Sequence, residues 1–248
     1  MKNKLGQNFL IDKKIALREI KYANITKDDI VLEIGPGKGI LTELLSKKAK
    51  KVIAIEIDKN LTDNLRKILP DNVELINNDV LNIDLKNIGN FDKIVANLPF
   101  QISSPISFKL LEINFKIAVL IYQKEFAERI IAKPGTKNYS RLTVSMYYKA
   151  KSELLEIVPK TCFSPQPKVD SAIVKIIPRT KPPLKLKNEK FFNNLIKDLF
   201  SHRRKKINTI LKNKLDIKNK NVPYLDNRVE ELNPEQIGLL SNILYTEE

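Results

Sequence analysis

The tetrapeptide Asn97-Leu98-Pro99-Phe100 carries the most distinctive chemistry in the chain. An amide oxygen and a neighbouring backbone carbonyl can together accept both hydrogens of an exocyclic aromatic amine. Such an amine, as on adenine, is a poor nucleophile because its lone pair is delocalised into the ring. Two acceptors favour a more tetrahedral nitrogen with an available lone pair. The side-chain oxygen of Asn97 and the carbonyl of Leu98 suit that role. Pro99 stiffens the turn and adds no competing N–H. Phe100 offers a face on which a base can stack, worth ~1–3 kcal/mol. Taken alone, the same four residues also read as an ordinary strand-ending turn.

Three of only seven glycines, Gly35, Gly37 and Gly39, fall within five residues. They follow an apolar run, Ile30–Ile34, and precede a helical pattern from Ile40, so the backbone there can turn sharply and approach a ligand closely. A tight turn is the plainer reading of that loop by itself. Glu56 lies 21 residues after Gly35, at the end of the next apolar run. A carboxylate at that point can accept from both hydroxyls of a ribose. Asp79 follows a third run and is placed to accept from an adenine amino group. The spacing from Glu33 is E-x-G-x-G-x-G, which resembles S-adenosylmethionine-dependent methyltransferases more than dinucleotide dehydrogenases.

These residues need a scaffold that brings distant segments together. Apolar runs at Ile30–Ile34, Val52–Ile57, Val73–Ile76, Lys93–Ala96, Ile117–Tyr122, Leu154–Val158 and Ala172–Ile177 read as buried parallel strands. Helical patterns at Ile40–Lys48, Lys59–Leu69, Pro105–Glu112, Lys124–Ala132 and Arg141–Tyr148 separate them. Alternation of this kind predicts an α/β sheet with crossover connections, and ligands then bind at the carboxyl ends of the strands. Near Pro178–Lys187 the pattern breaks into a proline-containing linker. Beyond it, Phe192, Leu195, Ile196, Leu199 and Phe200 share a helical face. Asn233-Pro234-Glu235 reads as a helix start with an asparagine cap and proline in the first turn. The expected organisation is one domain over 1–180 and a small basic helical domain over 185–248.

The chain has 248 residues, with 44 Lys and Arg against 29 Asp and Glu, a net charge of +15. Between Lys185 and Asn221 there are twelve basic and three acidic residues, so nine of the fifteen excess charges sit there. Such a stripe is the footprint of a polyanion, nucleic acid first, although a lysine-rich chain can also use basic residues simply as a solubilising surface. The single cysteine, Cys162, excludes an internal disulfide and a cysteine-based zinc site, and reads as a small packed apolar group. The longest apolar run, Ile117–Tyr122, is far below the ~20 residues of a membrane span. The first twenty residues carry no signal-peptide core. The expectation is a cytoplasmic protein with no metal and no membrane partner. No heptad pattern or long apolar patch points to a dimer, so a monomer is expected.

Four segments and two single residues occur together and in order: Gly6–Leu10, Glu33–Gly37, Glu56, Asp79, Asn97–Phe100, and Phe163-Ser164-Pro165-Gln166-Pro167-Lys168-Val169-Asp170-Ser171. In combination they resemble the KsgA-type ribosomal RNA adenine dimethylases, over residues 5 to about 210 and closest to the archaeal branch. The resemblance implies a Rossmann-like class I S-adenosylmethionine-dependent methyltransferase domain with a small C-terminal helical domain. It implies N6,N6-dimethylation of two adjacent adenosines in a small-subunit rRNA hairpin loop near the 3′ end, acting on the pre-ribosomal small subunit. By the same resemblance Asn8 and Leu10 border the cofactor, Gly35 meets its methionine end, Glu56 its ribose and Asp79 its adenine, and Gly37, Ile57, Val80 and Asn97 also belong to the cofactor site. Asn97, with Leu98 and Pro99, forms the acceptor motif, and Phe163 stacks on the target base opposite Phe100. The family usually has Tyr where this chain has Phe100; stacking survives that change. The cluster Arg203, Arg204, Lys205 and Lys206, with Lys212 and Lys214, is expected to hold RNA phosphates, and His202 to belong to that face. Two other readings stay open: a large-subunit rRNA adenine methylase, and a non-catalytic RNA-binding assembly factor.

Overall fold

The computed structural model describes residues 7–212 and 221–246. The described residues form two compact units. The first contains the described residues up to Ala127 together with Lys151–Pro178; the second contains Glu128–Ala150 together with the described residues from Arg179 onward. Residues 128–150 therefore belong with the second unit, where the sequence reading has a single boundary near 180. The reason is packing. Val144 and Tyr148 of the helix Arg141–Lys149 are buried in one apolar cluster with Phe192, Leu195, Ile196 and Leu199.

The first unit is built on a seven-stranded sheet. In chain order the strands are β1 (Phe9–Leu10), β2 (Ile30–Ile34), β3 (Lys51–Glu56), β4 (Val73–Asn77), β5 (Lys93–Asn97), β6 (Ile117–Gln123), β7 (Ala150–Val158), β8 (Phe163–Ser164) and β9 (Ser171–Pro178). The main sheet has the order β4-β3-β2-β5-β6-β9-β7, while β1 and β8 pair with each other as a separate ribbon. Strands β2 to β6 pair in parallel. In β2, β3, β5 and β6 the runs of Val, Ile and Leu are buried on both faces, as parallel strands with helices on each side require, whereas β4, at the sheet edge, is only partly buried. Strand β9 runs antiparallel to β6, with Leu120 opposite Val174. This corrects the expectation of an all-parallel sheet.

The helices are α1 (Lys13–Tyr22), α2 (Ile40–Ser46), α3 (Lys59–Leu65), α4 (Ser103–Leu110), α5 (Lys124–Ile130), α6 (Arg141–Lys149), α7 (Glu189–Ser201), α8 (Ile207–Leu211) and α9 (Pro234–Leu244). Starts are capped where the sequence supplies an acceptor. Asp12 accepts from Lys14 N at 2.8 Å, and Asp58 from Asn60 N at 2.9 Å. Asn233 accepts from Gln236 N at 2.8 Å with Pro234 behind it, as the sequence predicts. Each large apolar side chain fully buried in these cores contributes ~1.5–3 kcal/mol of transfer free energy. Among the described residues, no helix is long and apolar enough to cross a membrane.

Strand β2 has β3 on one side and β5 on the other. The strand order therefore reverses between β2 and β5, and a crevice opens at their carboxyl ends. Those ends carry Gly35 and Asn97.

Candidate active site

The glycine loop leaves β2 through two conformations that need glycine. Gly35 (φ 72°) donates to Ile55 O at 2.9 Å, and a side chain there would lie 3.3 Å from Pro99. Gly37 (φ 57°) has the ring of Phe9 so close that a Cβ would lie 2.7 Å from it. The Lys38 ammonium lies 5.2 Å from the centroid of that ring. Strand β1 thus lies against the loop, and its Leu10 is paired with Phe163 of β8.

Glu56, at the end of β3, is 5 % exposed. Its Oε2 accepts from Gly37 N at 3.1 Å and its Oε1 from Asp58 N at 3.0 Å. These two amides orient the carboxylate, and each oxygen keeps a lone pair for a further donor. Asp79 is held close by in the chain: Asn77 Nδ2 and Asn78 N both donate to Glu56 O, at 2.9 and 3.0 Å. Asp79 Oδ1 accepts from Leu81 N at 2.9 Å.

Asn97 closes β5. Its Nδ2 donates to Asn8 O at 3.3 Å, which fixes the amide orientation. Its Oδ1 is buried, and no described residue donates to it. A buried acceptor left without a donor costs ~1–3 kcal/mol, so the site is built to receive one. Leu98 is buried, and its N–H is used by Ile121 O at 3.3 Å. Pro99 and Phe100 follow, and Phe100 opens a short 3-10 turn to Ile102.

Asn8, Leu10, Gly35, Gly37, Glu56 and Asn97 line one open cleft. The sequence reading brings these six together, and they are together. Ile57, Asp79, Val80, Leu98, Pro99 and Phe100 do not line it. Ile57 is 51 % exposed, and Val80 is buried next to Asp79. Phe163 corrects an expectation. It is 3 % exposed and packed among apolar residues of the first unit, so it presents no free face for a base. Gly6, the first residue of its motif, lies outside the described residues.

Among the lining residues that carried no role in the sequence reading are Phe9, Lys38 and Glu33. Glu33 has a readable signal, an acid inside an otherwise apolar strand. It is 1 % exposed, and no described residue hydrogen-bonds to its Oε2. Burial pushes its carboxyl up to about 8; the Thr42 hydroxyl opposes the shift and Glu56 adds repulsion. Glu19, on α1, is fully buried with both oxygens lacking a described partner. Burial, reinforced by Glu33, holds it well above the usual carboxylate range.

In the second unit the basic cluster divides. Arg203 is a structural brace: its Nε donates to Glu230 at 2.6 Å, and Nη1 to the carbonyls of Lys137 and Tyr139 at 2.9 and 3.2 Å. Its guanidinium is engaged within the second unit. Lys206 makes an exposed pair with Asp226 at 3.2 Å. Arg204, Lys205 and Lys212 are exposed, and no described carboxylate pairs with Arg204 or Lys205. Lys214 lies outside the described residues.

Comparison with known proteins adds the following. A family model described as ribosomal RNA adenine dimethylase matches residues 1–245. A protein of Methanococcus maripaludis (strain C5) named probable ribosomal RNA small subunit methyltransferase A is 47% identical, covering 98% of each chain. A Pyrococcus furiosus protein of the same name is 42% identical over 98% of this chain and 92% of its own. Among solved structures, a dimethyladenosine transferase from Plasmodium falciparum matches with a TM-score of 0.80 and 34% identity, covering 94% of this chain and 95% of that one. The 23S rRNA methyltransferase ErmE matches with a TM-score of 0.72 and 30% identity, covering 96% and 99%.

Proposed function

Because the chain belongs to the ribosomal RNA adenine dimethylase family, we propose that it dimethylates N6 of two adjacent adenosines in a hairpin loop near the 3′ end of small-subunit rRNA. The chain is a methyltransferase of class I fold, and its methyl donor is S-adenosylmethionine. The observation that carries the site reading is the buried, unpartnered Oδ1 of Asn97, in the same cleft as the oriented carboxylate of Glu56.

The residues present fit the donor. The cleft joins the glycine loop, whose Gly37 N–H orients Glu56, to an acid whose free lone pairs suit vicinal hydroxyls. Glu56 accepts from the ribose, Asp79 from the adenine amine, and Gly35 and Gly37 leave room for the methionine end. Asn8 and Leu10 border it. Bound there, S-adenosylmethionine would supply an electrophilic methyl group on a sulfonium, with S-adenosylhomocysteine as its leaving group. Asn97 Oδ1 and Leu98 O hold the two N6 hydrogens and favour a lone pair directed at the methyl. Phe100 stacks on the extruded base. The methylated nitrogen is acidic and loses its proton to solvent, so no side-chain base is needed. The chain contributes proximity, orientation and a partly dry site. A loop adenine is the easier one to extrude, because an unpaired base costs less to flip. Arg204, Lys205 and Lys212 supply phosphate contacts.

The resemblance to ErmE keeps a large-subunit substrate as the alternative. Incubation of unmodified small and large subunits with protein and labelled donor, followed by mass spectrometry of rRNA fragments, tests the reading. Dimethyladenosine in small-subunit rRNA alone is the expected result; label in large-subunit rRNA, or monomethyladenosine as the end product, would overturn it.

A further inference from the structure

Lys109 sits in the last turn of α4, the helix that follows the acceptor motif after one short turn. Its ammonium does not serve the end of its own helix. It reaches back to the loop after β4, where Nζ donates to Leu81 O at 2.9 Å and also to Ile83 O. The same loop is held to Asp79: Leu81 N donates to Asp79 Oδ1, and Asn82 N to Asp79 O, both at 2.9 Å. Leu81 thus has its N–H on Asp79 and its carbonyl on Lys109. The two ends of α4 differ in what they serve, the first following Phe100 and the last holding the Asp79 loop. Charge-assisted bonds to two carbonyls are the strong kind and hold a loop in one arrangement.

We propose that Lys109 is a positioning residue that fixes the Asp79 loop to the helix of the acceptor motif, so that the adenosyl part of the donor and the target base are placed by one rigid strap. The proposal rests on the reading of Asp79 as the adenine acceptor. It acts before any chemistry, by holding the loop that carries Asp79. Replacing Lys109 frees Leu81 O and Ile83 O, and Asp79 must then be ordered at the moment of binding.

The test uses the full chain and two probes, S-adenosylhomocysteine and 5′-methylthioadenosine, which lacks the amino-acid part. In Lys109→Met, calorimetry should show both binding roughly tenfold more weakly. KM for the donor should rise in step while kcat at saturation stays within about threefold. Amide exchange over residues 80–85 should quicken in the unliganded protein. Lys109→Arg, which keeps the donors, should recover affinity to within about threefold. Where Lys109→Met fails to fold, Lys109→Gln is read in its place. Unchanged affinity and exchange in Lys109→Met would overturn the strap, as would Lys109→Arg losing as much as Lys109→Met. Asp79→Asn separates the two ideas. If it leaves methylthioadenosine binding intact, the adenine assignment fails; if it weakens binding while Lys109→Met does not, only the strap fails.

Discussion

Two carboxyl groups, Glu33 in the lining of the cleft and Glu19 on α1, are buried with oxygens that no described residue satisfies. Both are held neutral well above the usual range by loss of solvent. The sign of the consequence is fixed. A carboxyl whose folded pKa is raised contributes stability that is fully present below its unfolded value near 4.5 and is lost as pH rises through the folded value. For Glu33 that window ends at about 8. Thermal unfolding between pH 5 and pH 9 should therefore show falling stability in the native chain. Glu33→Gln should make the curve less steep, with Glu19 still contributing, and exceed the native chain at pH 9 by on the order of 5 kcal/mol. Parallel curves would contradict the assignment. Residue by residue, much of the cleft was legible in the sequence. Gly35, Glu56 and Asn97 are each the first or last residue of a strand–loop junction, and parallel strands bring such junctions to one edge. Phe163 was not legible, because its burial depends on pairing with the two-residue strand β1, too short to leave any periodic signal.

At the scale of elements, the glycine loop and β1 behave as one unit. Gly37 lies in the left-handed region, and the ring of Phe9 fills the space a side chain would need. Gly37→Ala should lower stability by ~1–2 kcal/mol from backbone strain alone. It should also displace Phe9 and tilt the N–H that orients Glu56, weakening binding of S-adenosylhomocysteine by calorimetry. Native-like affinity in that variant would mean the loop is not a cradle. Strand positions were readable because buried parallel strands are continuous apolar runs. Helix α1 escaped notice for a definite reason: its buried face, Ile15, Ala16, Glu19 and Ile20, contains an acid where an apolar residue is expected. The antiparallel direction of β9 was not readable either. Nothing within an apolar run encodes the direction of its partner, and only the path of the chain decides it.

Over the whole molecule, the excess positive charge of the C-terminal stretch has two roles that composition could not separate. Arg203 braces the second unit through Glu230 and two carbonyls, whereas Arg204 and Lys205 face solvent. Neutralising Arg204 and Lys205 together should reduce the slope of log affinity against log salt by about 1.4–1.8, with donor affinity unchanged. Arg203→Ala should instead cost about 1–3 kcal/mol of stability and leave the slope alone. Filter binding across a salt series and thermal unfolding distinguish the two; an unaltered slope in the double variant would remove that face from the RNA contact. The central claim concerns the Asn97 oxygen, and single-turnover methylation of unmodified small subunits with saturating S-adenosylmethionine tests it most directly. Asn97→Ala should bind the particles as the native chain does, yet transfer methyl groups ~10²–10³-fold more slowly, in line with loss of one oriented polar group at a reacting centre. A transfer rate within a few-fold of the native chain would contradict the account.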